Sequence, residues 1–416
     1  WKIRNSGDQA KLLSANDTSG FTYRGRFANR EQAASIGYET SQKAHNALRW
    51  LLARQGKYID GEMTVVWKLP QNLKEKDSNL ALDVVDLFGD TQETFLADFD
   101  WAAECRDEDD IELDRKFAEK LNQAMAGYRA KLQPDDEVII LSVDAATTGR
   151  LAVTYYQEVP GNEFIDRVLH WHQNCTWPRW IKLHETKKWV FINNTAPSPN
   201  EIVLAAYGTE QEKGYLACSD KLKKTTIRRI LPCIIGLSPK IPADIVKAAV
   251  NRASNPQAYS SFVWQNCVAP VACAMIKYNE FDGKVNSMEL EKDRSYLFGQ
   301  LLAILEKVEE RALYLQESKT DDRLTNAKKM WNVYTRRPAI TYERLYSHIV
   351  RAYLKRLNPG ARAKIENEIM QIINVLRETD GFNNNPLNER YLLGYYEERE
   401  KLMKSKGEKS NEGGEE

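Results

Sequence analysis

The sequence predicts an α+β N-terminal part followed by a mainly helical C-terminal bundle. Runs rich in β-branched and aromatic residues lie within the first 200 residues, and apolar residues at helical spacing dominate after them. We therefore expect an α+β region over 1–200 with an acidic insertion at 75–114, a helical connector over 201–287, a helical bundle over 288–404 and a disordered tail over 405–416.

The α+β region is expected to contain a helix and then a buried strand. The helix is predicted over 31–55, because apolar residues recur from Ala44 at i, i+4, i+7 and i+8 and Gly56 is suited to end a helix. The apolar run 63–69 has the length and composition of a strand.

A hairpin and a second helix are predicted next. The runs 137–143 and 150–157 are rich in β-branched and aromatic residues, and a turn-rich segment joins them. Pro160 and Gly161 break the chain, and a helix is expected over 163–173. This strand–turn–strand–helix order indicates a small α+β module.

Helical periodicity is clearest toward the C-terminus. Pro242 suits the first turn of a helix that runs to Ser254. Two apolar stripes at helical spacing follow, Leu297, Leu301, Ile304, Leu305, Val308, Ala312 and Leu315 in one and Ile365, Ile369, Ile372, Ile373 and Leu376 in the other. Between them an apolar stripe of Tyr342, Tyr346, Ile349, Val350, Tyr353 and Leu357 lies opposite Arg344, His348, Arg351 and Lys355. The pattern predicts a bundle with one positively charged wall.

Charge is segregated along a chain whose net charge is zero. The segment 75–114 contains 15 acidic residues and two basic ones, whereas 323–377 contains 12 basic residues and three acidic ones. Basic segments interleaved with aromatic residues are typical of surfaces that bind polyanions, although any one of them can be a solvated helix face.

Three basic zones supply the candidate nucleic-acid-binding residues, since their cations are spaced to reach phosphates from helices or loops. The first basic zone comprises Arg24, Arg26, Lys43, Arg49 and Arg54; the second comprises Lys221, Lys223, Lys224, Arg228 and Arg229; the third comprises Lys328, Lys329, Arg336, Arg337, Arg344, Arg351, Lys355 and Arg356. Interleaved aromatic residues can either stack on unpaired bases or belong to the core, and both alternatives stay open for Tyr23, Phe27, Trp331 and Tyr334.

No catalytic or cofactor-binding motif is recognisable. His170, His172 and Cys175 have metal-ligand side chains, but the two histidines would project about 200° apart on a helix, so we expect a packed group and no metal site. The acidic run 107–110 lacks the pattern of a calcium loop and is expected to be solvated. We therefore expect no enzyme activity. The alternative is a metal-dependent nuclease that uses the acidic run 107–110 with His170 or His172.

Composition indicates the class of protein. With 42% hydrophobic and 28% charged residues and no long apolar run, the chain is expected to be globular and not embedded in a membrane. Its six cysteines are scattered without a C-x-x-C pair, which favours a reducing cytoplasm. Because Trp1 is not an initiator methionine, we expect an N-terminal part to be missing.

Five segments in order resemble the large subunit of the type I-C CRISPR Cascade complex, a Csd-type family. They are GFTYRGRF from Gly20, SQKAHNALRWLLARQG from Ser41, GRLAVTYYQEVPGNEFIDRVLHWHQNCTW from Gly149, RSYLFGQLLAILEKVE from Arg294 and LNERYLLGYYEERE from Leu387. The resemblance implies a non-catalytic subunit whose partners are the crRNA-bound backbone subunits, target double-stranded DNA, its displaced strand and a helicase-nuclease.

The same resemblance implies more specific roles. They are recognition of the protospacer-adjacent motif, stabilisation of the R-loop and recruitment of the helicase-nuclease. Separately translated small subunits are also implied, and Met288 matches the position of an internal start. A structural bridge whose basic faces meet acidic proteins, including the chain's own segment 75–114, remains a further alternative.

Overall fold

The computed structural model describes residues 36–59, 62–69, 136–147, 150–182, 189–192, 196–212, 214–281, 290–317 and 324–407. These residues divide into two compact units. The first unit contains the described residues up to His172, with Lys182–Val190 and Ser219–Pro239; the second contains Gln173–Ile181, Phe191–Cys218 and the described residues from Lys240 onward.

The strands and helices follow one another in an α+β order and then in a helical one. In the first half of the chain they are α1 (Tyr38–Gln55), β1 (Lys57–Ile59), β2 (Glu62–Leu69), β3 (Glu137–Thr147), β4 (Arg150–Pro160), α2 (Gly161–Asn174), β5 (Arg179–Lys182), β6 (Trp189–Ile192) and α3 (Pro199–Tyr207). They continue with β7 (Thr209–Glu210), β8 (Leu216–Ala217), α4 (Asp220–Ile234), α5 (Ala243–Ala253), α6 (Ala269–Phe281), α7 (Arg294–Glu317), α8 (Asn326–Arg336), α9 (Pro338–Ala352), α10 (Pro359–Glu378) and α11 (Arg390–Gly407). The predicted fold class is confirmed.

The first unit is built on an antiparallel sheet of order β1-β2-β3-β4. Val65 pairs with Leu141 across β2 and β3, and both side chains point to the face on which α1 packs through Leu48 and Leu52. The opposite face carries buried polar groups, among them Glu62. Because side chains alternate along a strand, one face can be apolar while the other is polar.

Local signals place most elements of the first unit within a few residues of the prediction. Helix α1 begins at Tyr38, seven residues after the predicted start, and ends at Gln55 with Gly56 as its C-cap. The predicted strand 63–69 begins one residue earlier, at Glu62. At Gly161 the strand β4 passes directly into α2, and the Gly161 N–H donates to the Asp136 carbonyl at 2.7 Å. The predicted break is therefore a change of element without a loop.

The second unit contains an aromatic core. The indole of Trp264, in a π-helical turn before α6, meets Trp331 edge-on at 5.3 Å between ring centroids. Trp331 donates from Nε1 to the Tyr391 hydroxyl at 3.0 Å, and Tyr391 donates to Ser254 at 2.5 Å. These bonds satisfy the polar atoms of rings that are otherwise fully buried.

Helices α7 and α11 pack backbone against backbone. A Cβ atom built on Gly299 would lie 2.0 Å from the Tyr391 carbonyl oxygen, and one built on Gly394 would lie 2.0 Å from the Tyr296 carbonyl oxygen. This crossing therefore requires glycine on both helices. Helix α11 runs to Gly407 and so includes the first three residues of the predicted tail, 405–407; residues 408–416 lie outside the described part.

Burial of Glu398 on α11 predicts a pH-dependent stability. The pKa of this carboxyl is raised to about 7 in total: burial raises it most, Lys401 opposes the rise, and the nearby Glu368 adds to it. The folded chain then holds a proton that the unfolded chain releases near its ordinary value of about 4.3, so the stabilisation is complete below that pH and is lost as the pH rises through about 7.

We expect Glu398→Gln to flatten this dependence. The free energy of unfolding in urea, measured at intervals between pH 5 and pH 8, should fall with rising pH more steeply for the original chain than for the variant. Parallel curves for the two proteins would contradict the assignment.

A helix that crosses a bilayer must be about 20 residues long and predominantly apolar. In the part of the chain that the structure describes, none combines the length and the apolar character needed to cross a bilayer.

Candidate nucleic-acid interface

The third basic zone centres on α9, an amphipathic helix. Pro338 occupies its first turn, where a missing N–H costs nothing. Its inner face is formed by Tyr342, Leu345 and Ile349, each at most 3% exposed. Of the predicted apolar stripe, Tyr342 and Ile349 belong to this core face and Tyr346 and Val350 are half-buried; Tyr353 and Leu357 are buried but follow the end of α9 at Ala352.

The outer face of α9 is cationic. Arg344, His348 and Arg351 are exposed on it, and Lys355 and Arg356 are exposed on the 3₁₀ turn that follows. Among the described residues no carboxylate forms an ion pair with Arg344, Arg351 or Lys355. We call this surface the α9 cationic face; its guanidinium and ammonium groups are available to a polyanion.

Two groups near the α9 cationic face have partners within the protein. The guanidinium of Arg356 lies over the Tyr353 ring, 5.7 Å from its centroid. Glu309 accepts hydrogen bonds from the backbone N–H and the side-chain amide of Asn326, both at 2.8 Å, and burial raises the pKa of its carboxyl. That carboxyl is thus engaged at the start of α8.

Other cations of the third basic zone differ in exposure. Lys329, Arg336 and Arg337 are exposed along α8 and at its C-terminus. Lys328, in contrast, is only 7% exposed, and its Nζ lies 3.2 Å from Oε1 of the fully buried Glu306. The structure gives Lys328 a role in the core, which the sequence pattern could not distinguish from a surface role.

The aromatic residues of this zone are core residues. Trp331 and Tyr334 are fully buried, and the Tyr334 hydroxyl donates to the Phe298 carbonyl at 2.7 Å. The hypothesis that these two rings stack on bases is wrong, because neither ring face reaches solvent. Tyr23 and Phe27 lie outside the described residues.

The second basic zone lies on α4, and its cations are unequally available. Lys221 and Arg229 are exposed, and Lys223 is half-buried. Lys224 lies 3.6 Å from Asp144 on β3, and Arg228 forms an ion pair with Glu62 on β2.

These two ion pairs attach α4 to the polar face of the sheet. Glu62 also accepts a hydrogen bond from Thr154 on β4 at 2.9 Å. The buried carboxylates Glu62 and Asp144 require cationic partners, since an uncompensated buried charge is costly. Part of the second basic zone is therefore occupied by carboxylates of the sheet.

The first basic zone is described only on α1. Lys43 pairs with Glu39 at 2.7 Å on the helix surface, and Arg49 is exposed. Arg54 places its guanidinium over the ring of Trp50, 5.0 Å from the centroid. Arg24 and Arg26 lie outside the described residues.

Trp50 is a candidate that the sequence pattern did not single out. Its side chain is 49% exposed on α1, so part of the ring is open to solvent beside Arg54. An exposed aromatic ring next to an arginine is suited to stacking on a base. The i, i+4 spacing of Trp50 and Arg54 was the available signal.

The candidate metal-binding groups do not come together. His170 is exposed and His172 is 2% exposed, as expected for positions on opposite faces of α2. Across the described ranges, no three His, Cys, Asp or Glu side chains are grouped so that they could hold a metal ion. The acidic run 107–110 and Met288 lie outside those ranges.

Comparison with protein families gives a match over almost the whole chain. A comparison with curated proteins finds no match. A family model described as CRISPR-associated protein (Cas_Csd1) matches residues 2–403. The chain therefore belongs to the Csd1 family of CRISPR-associated proteins.

Proposed function

We propose that this chain is the non-catalytic large subunit of a type I-C crRNA-guided surveillance complex and that the α9 cationic face binds nucleic-acid phosphates. Family membership supports a Cascade-type protein that assembles with other Cas subunits and crRNA. The observation that carries the binding role is the set of three exposed cations, Arg344, Arg351 and Lys355, without carboxylate partners among the described residues.

In this proposal the chain sets affinity and position while base pairing reads the sequence. Contacts from arginine and lysine to phosphates do not distinguish one base from another. The guide RNA supplies sequence specificity, as in other RNA-guided effectors. The partners are the crRNA-bound backbone subunits, the separately translated small subunits, the target duplex, its displaced strand and the helicase-nuclease.

The roles proposed for the subunit in the R-loop, in motif recognition and in recruitment make different demands on its surface. A cationic helical surface beside an opened duplex would stabilise the R-loop by holding a sugar-phosphate backbone. Recognition of the protospacer-adjacent motif would need base-edge contacts from other residues, and recruitment of the helicase-nuclease would need a protein surface.

Removing two charges of the α9 cationic face should lower the salt dependence of DNA binding. We expect Arg344→Gln with Arg351→Gln to reduce the slope of log K against log salt by about 1.4 for a single strand and about 1.8 for a duplex, because each lost phosphate contact removes roughly 0.7 or roughly 0.9 respectively. Mobility-shift titrations of the purified chain with both DNA forms, across a salt series, measure this slope.

The matched control removes two exposed lysines from elsewhere in the second unit. Lys247→Gln with Lys292→Gln changes the net charge equally and should leave the slope unchanged. Equal slopes for the original chain and the α9 variant would contradict the proposed surface. Incubating the same DNA with magnesium or manganese tests the non-catalytic role, and cleavage by the purified chain would contradict it.

A further inference from the structure

A cavity of about 470 Å³ lies within the bundle, apart from the cations of the α9 cationic face. Its apolar wall is formed by Ile304 and Val308 of α7, Ile365 of α10 and Leu402 of α11. The volume falls in the range of sites that bind small molecules or single side chains. None of the described residues that line the cavity is aromatic.

Three cations also line this cavity, and two of them have no carboxylate partner within the described residues. Lys307 pairs with Glu310 at 3.2 Å. Arg311, which is half-buried, and Lys364, which is exposed, form no ion pair in that part of the chain. A partly buried cation without a partner favours an anion beside it.

The rest of the lining favours an anion of single charge. Glu368 also lines the cavity, and its carboxylate is engaged by Lys401 at 2.6 Å. It would still repel a dianion more than a monoanion. The first turn of α10 is already capped, since Asn358 Oδ1 accepts from the Ala361 N–H at 2.7 Å, so the cavity's positive charge comes from side chains.

We propose that this cavity is a binding site for an aliphatic carboxylate. Arg311 and Lys364 would hold the carboxylate, and the wall of Ile304, Val308, Ile365 and Leu402 would cover the hydrocarbon. Two sources share this chemistry: the C-terminus of a polypeptide that ends in an aliphatic residue, and a free short-chain acid. Both combine one negative charge with an apolar group of the size that the cavity accepts.

Ligand-detected NMR titrations of the full purified chain test the proposal. N-acetyl-L-leucine represents a polypeptide C-terminus, and hexanoate represents a free acid. We expect at least one to bind with a Kd of about 1 to 5 mM, the range for a ligand of roughly ten non-hydrogen atoms. Binding of only one of them identifies the source, and binding of both supports the shared chemistry.

Variants of the cavity should weaken that binding. Arg311→Met should raise the Kd at least roughly fivefold through loss of a charged hydrogen bond. Gly360→Glu should abolish binding by placing a carboxylate in the cavity; a Cβ there comes no closer than 3.9 Å to Asn358 Oδ1, so the fold should tolerate it. Lys247→Met, which removes an exposed lysine outside the cavity, should leave the Kd unchanged.

Several results would overturn the proposal. N-acetyl-L-leucinamide lacks the charge, and its binding as tightly as N-acetyl-L-leucine would show that the cations play no part. The proposal would also be overturned if both acids failed to bind or if an equal concentration of inorganic phosphate displaced either acid. An unchanged Kd in Arg311→Met would overturn it as well. The thermal unfolding midpoint of each variant, expected within about 2 °C of the original, separates lost binding from lost folding.

Discussion

Gly394→Ala should destabilise the helical bundle by about 3 kcal/mol or more. The new methyl group would lie 2.0 Å from the Tyr296 carbonyl oxygen, so α7 and α11 would have to separate. Helix propensity alone predicts the opposite sign, a gain of about 1 kcal/mol for alanine over glycine. Urea unfolding followed by tryptophan fluorescence measures the change.

A glycine in open space provides the control for this prediction. Gly360, in the first turn of α10, has only Asn358 Oδ1 within 4 Å of a Cβ, at 3.9 Å. Gly360→Ala should therefore leave stability unchanged or raise it slightly. If Gly394→Ala also left the unfolding curve in place, the close crossing of α7 and α11 would not exist in the folded chain.

Lys328→Met should be the other strongly destabilising change, by about 3 to 5 kcal/mol. Lys328 lies 3.2 Å from the fully buried Glu306, whose other partners are Arg399 at 3.5 Å and the Tyr395 hydroxyl. Removing the ammonium group leaves the negative charge of buried Glu306 with one cationic partner fewer. Methionine fills the space of the lysine side chain but does not replace that charge. Urea unfolding again gives the change in free energy.

Lys329, the next residue along the chain, is the control that distinguishes a role in stability from a role in nucleic-acid binding. Lys329 is exposed, so Lys329→Met should change stability by less than about 0.5 kcal/mol. Adding Glu306→Gln to Lys328→Met should recover part of the lost stability, because the insufficiently compensated buried charge is then removed. Equal stabilities for Lys328→Met and Lys329→Met would contradict the buried ion pair.

Sequence periodicity was sufficient to predict the parts of the fold that depend on local pattern. Tyr342, Tyr346 and Ile349 are spaced by four and three residues, which predicts the helix α9 and places Arg344 and Arg351 on its outer face, although the predicted stripe continued to Leu357 and α9 ends at Ala352. Turn and cap signals likewise located the hairpin β3–β4 and the C-terminus of α1.

Contacts between distant residues could not be predicted in this way. Glu62 lies 166 residues before Arg228, and no local pattern indicates that the two side chains form an ion pair. Lys328 is next to Lys329 in a basic segment, yet only the packing of α7 beneath it reveals that it is buried. The assignment of Ser219–Pro239 to the first unit likewise depends on contacts between distant residues that no local pattern indicates.

We propose that the α9 cationic face attracts a sugar-phosphate backbone through charge alone. A density map of the assembled complex with crRNA and target DNA tests it most directly. We expect Arg344, Arg351 and Lys355 within about 3 Å of phosphate oxygens, the distance of a charged hydrogen bond. A map in which these three side chains are buried against protein, away from every nucleotide, would contradict it.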